Sequence, residues 1–86
     1  MARILLVEDD ARIARPLARE LARELHTCDL AEDGEAGWSF LEAGEYDLAI
    51  LDIMLPRLSG IELCRRIRTR GLDMPVLLLT ALDGVR

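Results

Sequence analysis

The stretch DLAILDIMLPRLSG, residues 47–60, carries the strongest indications of the fold. Its apolar part, together with Tyr46, forms a run at residues 46–51 that lacks the alternation of a half-exposed strand. Such a run is typical of a parallel strand that is buried on both faces. The strand ends in an acid, Asp52, and a loop that contains Pro56 follows it. We therefore expect a buried strand with a carboxylate at its C-terminal end.

Strands and helices alternate on both sides of this segment. Ser59 and Glu62 have the spacing of a capping box, which predicts a helix that starts there and stops near Gly71. The predicted elements in chain order are a strand at 4–7, a helix with Ile13, Leu17, Leu21 and Leu25 on its apolar face, a strand at 27–31, a helix at 35–43 ended by Gly44, the strand at 46–51, the Ser59 helix and a strand at 76–79.

This β-α-β-α-β-α-β order predicts an α/β fold, a parallel sheet with helices on both faces. The last strand, at residues 76–79, is wholly apolar, and residues 82–86 after it have loop character. An uncovered apolar edge strand is a site of self-association, so a homodimer or a swapped pair through this strand is an expected partner arrangement.

Composition excludes several classes of function. The 86 residues correspond to one small domain, and a net charge of −5 argues against binding to nucleic acid. The eleven basic residues are all Arg, so no mechanism can draw on a lysine of this sequence. Cys28 and Cys64 have no zinc-ligand spacing and are predicted to be reduced cysteines of a cytoplasmic protein. No run is long enough to span a membrane.

Polar residues follow three of the predicted strands. Glu8, Asp9 and Asp10 come after the first strand, Asp52 after the third and Thr80 after the fourth. Taken singly, acids at such junctions are most often helix caps, and Asp10 fits that role best. In an open parallel sheet, however, functional groups collect beyond the carboxyl ends of the strands. If these strands are neighbours, the carboxylates converge in one crevice.

A converging set of carboxylates predicts a magnesium site. Mg2+ prefers octahedral oxygen coordination with one or two carboxylates, and it relieves their mutual repulsion. A carboxylate beside Mg2+ can attack phosphorus to form an acyl phosphate. A hydroxyl such as that of Thr80 could hydrogen-bond a phosphoryl oxygen, and the small Ala81 beside it would leave room for the incoming group.

Three motifs in order resemble the receiver domain of two-component response regulators. They are RILLVEDD at 3–10, DLAILDIMLPRLSG at 47–60 and PVLLLTA at 75–81. The sequence around IMLPRLSGIEL is most similar to the branch of the family whose effector is a winged-helix DNA-binding domain. The resemblance implies a flavodoxin-like doubly wound sheet with strand order 2-1-3-4-5. It covers the family's first four strands and three helices, so residues 1–86 are predicted to be the N-terminal part of a receiver domain, without a second domain.

The resemblance also implies a role for each matching residue. Asp52 is the expected phospho-acceptor and also an expected metal ligand. Asp9 is the expected direct metal ligand, and Glu8 a ligand that acts through water. The backbone carbonyl of Met54 is a further expected Mg2+ ligand. Thr80 is the expected switch hydroxyl, with Ala81 giving access to the site. A sensor histidine kinase is the implied partner, and DNA would be bound only by an effector domain. The family's lysine, at the end of a fifth strand, has no counterpart in this sequence.

Two other functions compete with a phosphorylated receiver. A magnesium phosphatase with an aspartate nucleophile has a similar sheet, but the segment DIML, which begins at Asp52, does not match the DxDx[TV] pattern of those enzymes. A non-catalytic fragment that associates through its fourth strand is the other alternative.

Four arginines on the first predicted helix form a basic stripe: Arg12, Arg15, Arg19 and Arg23. It is expected to be a solvated face, or else part of a kinase-docking surface. In the second helix Phe40 is predicted to be in the core and Trp38 partly exposed.

Overall fold

A four-stranded parallel sheet organises residues 1–79, the part of the chain that the computed structural model describes. The elements are β1 (Arg3–Val7), α1 (Ala11–Arg23), β2 (Thr27–Ala31), α2 (Gly34–Ala43), β3 (Leu48–Asp52), α3 (Gly60–Thr69) and β4 (Val76–Leu79). The strand order is β2-β1-β3-β4 and every pairing is parallel. The predicted α/β class and element order are therefore confirmed, and so is the strand order for the first four strands.

The two faces of the sheet have separate cores. Leu5, Val7 and Leu51 belong to one cluster with buried residues of α2 and α3. Ile4 and Leu6 belong to the other cluster, which α1 covers through Ala14, Leu17 and Leu21. Successive strand residues point to opposite faces, so a strand buried on both sides must be apolar at every position. This explains the unbroken apolar runs in β1 and β3.

On the sheet face that α1 covers, one cross-strand row of paired side chains shows which strands the helix shields from solvent. Leu30, Leu6, Ile50 and Leu77 are paired in register across the four strands. Leu6 and Ile50, in the two central strands, are 0% and 4% exposed, whereas the outer Leu30 and Leu77 are 40% and 51% exposed. Helix α1 therefore shields the middle of the sheet, and the described residues leave both margins of this face half open.

Helix α1 buries a narrower stripe than the sequence predicts. Ala14 is buried and Leu17 and Leu21 pack beside it, but Ile13 and Leu25 are exposed. The prediction that Ile13 and Leu25 face the core is wrong. The helix ends at Arg23, and Leu25 has a positive φ of 68° that turns the chain toward β2. Its side chain therefore cannot continue the helical stripe.

Helix α2 lies close to β1 because Gly37 has no side chain. An added β-carbon at Gly37 would lie 2.8 Å from Cγ2 of Val7. Gly34, Gly37 and Leu41 form the buried face of the helix. Phe40 lies off this face and is exposed, so its predicted core position is wrong, whereas Trp38 is half-buried as expected.

Trp38 links α2 to α3. The guanidinium groups of Arg66 and Arg70 lie 5.8 and 5.6 Å from the centre of its ring, within the range of a cation–π interaction. The same arginines form ion pairs with Glu35 and Glu42 of α2. Arg66 of α3 and Arg70, the C-cap residue of that helix, therefore connect α3 to α2.

Strand β3 begins at Leu48, two residues later than predicted, because Tyr46 has a separate role. Its hydroxyl donates a hydrogen bond of 2.7 Å to Asp29, and Arg3 lies over its ring at 4.7 Å. Burial, followed by the neighbouring Asp29, raises the pKa of Tyr46 to about 12. Tyr46 therefore anchors the segment before β3 at the end of the sheet opposite the carboxyl ends.

Within residues 1–79, none of the helices is both long and apolar enough to cross a membrane.

The cross-strand row provides a matched test of core packing. We expect Leu6→Ala to lower the free energy of unfolding by about 2–5 kcal/mol, because it leaves a cavity between α1 and the sheet. Leu77→Ala, on the same face, should cost about 1 kcal/mol, because a half-exposed leucine loses only part of its burial. Urea unfolding of both variants measures the difference, and equal losses would contradict the described burial.

Candidate functional site

The candidate site lies where β1 and β3 end side by side. Val7 is paired with Leu51, so Glu8 and Asp9, which follow β1, and Asp52, the last residue of β3, meet at the carboxyl edge of the sheet. One carboxylate oxygen from each of the three residues lies within 4.8 Å of the others. The convergence predicted for these acids is therefore present in the structure.

Glu8 and Asp52 are buried, whereas Asp9 is exposed. Glu8 is 4% and Asp52 1% exposed. The backbone N–H of Glu8 donates to the carbonyl of Ala31 at 3.0 Å, which extends the β1–β2 pairing by one residue. Its Oε2 accepts a hydrogen bond of 3.0 Å from the N–H of Asp10. Glu8 is thus fixed by backbone contacts on two sides, and Asp9 forms the solvent-facing wall of the pocket.

Asp52 is held by the start of the β3–α3 loop (residues 53–59). Its Oδ1 accepts a hydrogen bond of 3.2 Å from the N–H of Met54. The next residue, Ile53, donates its N–H to the Leu79 carbonyl of β4 at 3.1 Å. The pairing of β3 with β4 therefore extends beyond the last strand residue and keeps Asp52 at a defined position.

Asp10 is a helix cap, as the sequence predicts. Its side chain accepts a hydrogen bond of 2.9 Å from the N–H of Arg12 in the first turn of α1. The Arg12 guanidinium also donates to both of its carboxylate oxygens, at 3.1 and 3.0 Å. A carboxylate at this position satisfies an N-terminal donor and interacts favourably with the helix dipole. The converging cluster accordingly consists of Glu8, Asp9 and Asp52.

Bringing three carboxylates together has an electrostatic cost, which shows in the pKa of Glu8. Burial is the largest cause that raises the pKa of Glu8, and Asp9 and Asp52 raise it further, while the hydrogen bond from Asp10 acts in the opposite direction. A buried carboxylate next to two others is less stable in its charged form than the same group in water. Anything that adds positive charge here stabilises the ionised cluster.

The donor set fits a hard divalent cation. The converging atoms are all oxygens, two of the carboxylates are buried and the third opens to solvent. Mg2+ is bound in proteins through one or two carboxylates while keeping several waters, which requires a site that is open on one side. Glu8, Asp9 and Asp52 are therefore the described residues that would hold it.

The remaining predicted site residues are only partly described. Met54 lies two residues beyond Asp52 with an exposed side chain, and its N–H bond to Asp52 keeps its backbone next to the cluster. Its carbonyl stays a predicted ligand. Thr80 and Ala81 lie outside the described residues, so their predicted roles stay predictions as well.

Sequence reasoning missed the residues that hold the β3–α3 loop in place. An added β-carbon at Gly60 would overlap the backbone carbonyl of Asp52, and one at Gly34 would overlap that of Leu58. Arg57 adopts a positive φ of 71° and pairs with Asp33 at 3.4 Å. The Asp33-Gly34 and Ser59-Gly60 pairs in the sequence mark helix starts, but only packing shows that both glycines touch this loop or the residue before it.

The fold and the site together define a class of protein. It is an α/β protein with an acidic pocket, suited to a cation, at the carboxyl edge of a parallel sheet. The family model described as "Response regulator receiver domain" matches residues 4–85. This match covers nearly the whole chain, and the protein belongs to the response regulator receiver domain family.

Similar proteins agree with this assignment. The chain is 49% identical over 83 residues to Protein RcaC of Microchaete diplosiphon and 48% identical over 82 residues to the response regulator RppA of Synechocystis. These matches cover 96% and 93% of the chain, but only 13% and 35% of the respective relatives. The chain thus spans a minor part of the length of either protein.

Solved structures share the architecture. The receiver domain of the Francisella response regulator 1452 superposes with a TM-score of 0.92 at 29% identity, covering 96% of this chain and 69% of that one. The response regulator TrrA of Thermotoga maritima, solved in complex with Mg2+ and BeF, gives 0.90 at 42% identity, covering 100% of this chain and 75% of that one.

The raised pKa of Glu8 leads to a pH-dependent prediction. Because the folded state binds this proton more tightly than the unfolded state does, the stability of the metal-free protein should fall as pH rises from the ordinary Glu value toward the raised one. Glu8→Gln removes the charge, so we expect it to melt at a higher temperature than the wild type at pH 7 without metal. The difference should shrink below the ordinary pKa of 4.5.

Thermal melting from pH 3 to pH 8 in a chelator measures this effect. The exposed Glu45, changed to Gln, is the matched control and should leave the curve unchanged. A Glu8→Gln variant that is less stable than the wild type at pH 7 would contradict the electrostatic interpretation.

Proposed function

We propose that this chain is the phospho-accepting part of a two-component phosphorelay, with Asp52 as the acceptor. The observation that carries the proposal is the convergence of Glu8, Asp9 and Asp52 within 4.8 Å at the carboxyl edge of the sheet. Family membership supports it, and the Mg2+–BeF complex of TrrA supports Mg2+ as the cofactor. The donor would be the phosphohistidine of a sensor histidine kinase.

The transfer is a displacement at phosphorus. A carboxylate oxygen of Asp52 forms the new P–O bond while the P–N bond to the kinase histidine breaks, and the imidazole leaves with the electron pair. Bound Mg2+ would neutralise charge on the transferring group. Asp9 would hold the cation directly and Glu8 through water, with the Met54 carbonyl as a further ligand. The Met54 N–H keeps the Asp52 carboxylate oriented. Thr80 would hydrogen-bond a phosphoryl oxygen, with Ala81 leaving space for it.

Kinase docking is assigned to the exposed basic side of α1. Its four arginines, Arg12, Arg15, Arg19 and Arg23, are exposed, and the helix begins directly after the acidic cluster. Two of them pair locally, Arg12 with Asp10 and Arg23 with Glu20. Arg15 and Arg19 border a shallow surface that includes Leu30 and so combines charge with apolar area. We assign the chain to the cytoplasm, where its kinase would act.

The output of the phosphorylation is proposed to be transcriptional. One relative, 43% identical over 83 residues, is the transcriptional regulatory protein TcrA of Mycobacterium tuberculosis. The segment IMLPRLSGIEL resembles the branch with a winged-helix effector. DNA contact is accordingly assigned to an effector domain, because residues 1–86 have a net charge of −5.

Intact-mass measurement after incubation with Mg2+ and acetyl phosphate tests the acceptor. We expect a single phosphoryl adduct on the wild type and none on Asp52→Asn, because the amide oxygen is a poor nucleophile. Asp9→Asn should slow labelling through weaker Mg2+ binding. The exposed Asp73, changed to Asn, is the matched control and should be labelled like the wild type. An unlabelled wild type, or an adduct that persists in Asp52→Asn, would overturn the proposal.

A second candidate function is self-association through β4. Among the described strands β4 is paired only with β3, and Leu77 on it is 51% exposed. A strand edge with an exposed leucine is a template for a second copy of the chain. The alternative predicts a homodimer or a swapped pair, with or without phosphorylation.

Sedimentation velocity over a range of concentrations distinguishes this alternative. If β4 is the interface, the wild type should sediment as a dimer and Leu77→Arg as a monomer, because a buried arginine without a partner is costly. Leu30→Arg, on the opposite margin of the same sheet face, is the matched control. A concentration-independent wild-type monomer would contradict the alternative.

A further inference from the structure

The β3–α3 loop is held by elements that contribute no ligand to the cation site. It carries Met54, and it is fixed near both of its ends. From α3, Gly60 donates its N–H to the Ile53 carbonyl at 3.0 Å and lies against the backbone of Asp52. From α2, the first turn lies against Leu58, and the capping residue Asp33 pairs with Arg57.

The contact of Gly34 with Leu58 leaves no space for a side chain. An added β-carbon at Gly34 would overlap the Leu58 carbonyl oxygen and lie 2.6 Å from the Leu58 β-carbon. The overlapping atom is backbone, so a side-chain rotation cannot relieve it. Leu58 is itself buried in the core shared with α2 and α3. Either the helix or the loop has to move if residue 34 is larger than glycine.

We expect the loop to move rather than the helix. Helix α2 is seated on the sheet through Gly37 against Val7 and through the buried Leu41. The loop in contrast has a left-handed residue at Arg57, an exposed Met54 and a short internal hydrogen bond of 2.8 Å from Leu58 N–H to the Pro56 carbonyl. Leu58 and Met54 belong to the same loop, so a displacement of Leu58 would act on Met54, whose N–H is bonded to Asp52.

We propose that Gly34 is a positioning residue for the cation site: by lacking a side chain it lets α2 set the path of the β3–α3 loop and so the placement of Met54 beside Asp52. This inference rests on the proposed function, because it assigns the Met54 carbonyl to Mg2+. Gly34 acts through Leu58, the residue that its added β-carbon would meet, so its effect on the three acids is indirect.

Magnesium titration of the 86-residue chain, followed by the backbone amide NMR shifts of residues 52–54, tests the inference. We expect Gly34→Ala to raise the Mg2+ dissociation constant by about 10-fold or more, the range seen when groups supporting a metal's ligands are altered. Leu41→Ala is the matched control. It removes buried volume from the same helix without adding an atom near Leu58, and it should bind Mg2+ as the wild type does despite a lower melting temperature.

The readout separates positioning from loss of stability, because the dissociation constant is that of the folded fraction. If Gly34→Ala unfolds in buffer, all proteins are compared in trimethylamine N-oxide, which strengthens burial. A folded Gly34→Ala with wild-type affinity overturns the inference, and so does equal weakening in Leu41→Ala. Failure of Gly34→Ala to fold even in the osmolyte, with Leu41→Ala folded, also overturns it, since Gly34 would then serve the fold alone.

Failure of the proposed function gives a different pattern. A wild type that binds no Mg2+, or an Asp9→Asn variant that binds it unchanged, removes the cation site itself. Wild-type binding that Asp9→Asn weakens and Gly34→Ala leaves intact preserves the site and removes only the positioning role.

Discussion

The pairing of β1 with β3 is the constraint on which the rest of the structure depends. It sets Val7 opposite Leu51, and this register brings the acids after β1 to the end of β3. A shift by one residue would exchange the two faces of a strand and move an acid into the core. The cost of burying an unpaired charge disfavours that alternative, so the core packing and the positions of the acids together fix the geometry of the site.

The site is built against electrostatic preference. Glu8 and Asp52 are buried acids close to Asp9, and their mutual repulsion is a cost to the folded state. Backbone hydrogen bonds from Asp10 and Met54 offset part of it. The remaining imbalance makes a cation with oxygen ligands the natural complement of the pocket. The repulsion that favours metal binding therefore lowers the stability of the metal-free fold. Burial of the aliphatic core offsets this loss of stability.

Glycine has a structural task around this pocket that differs from its usual role in turns. Gly34, Gly37 and Gly60 lie where helices approach other backbone or strand side chains too closely for a β-carbon. An added β-carbon at Gly34 would overlap the carbonyl oxygen of Leu58, and one at Gly60 would overlap the carbonyl oxygen of Asp52. The helices thus act as a rigid frame for a loop that has little regular structure of its own.

The order of strands and helices could be read from the sequence alone, because a doubly buried strand must be apolar throughout and an amphipathic helix must repeat with its turn. The acids Glu8, Asp9 and Asp52 could be predicted for the same reason, since each follows or ends a buried strand. The exposure of individual side chains could not be predicted: Ile13, Leu25 and Phe40 match the apolar pattern, yet all three are exposed, and Leu25 lies beyond the end of α1. The holding of the β3–α3 loop by Gly34 was decided only in the tertiary structure, because it depends on atoms of Leu58, a residue that is distant along the chain.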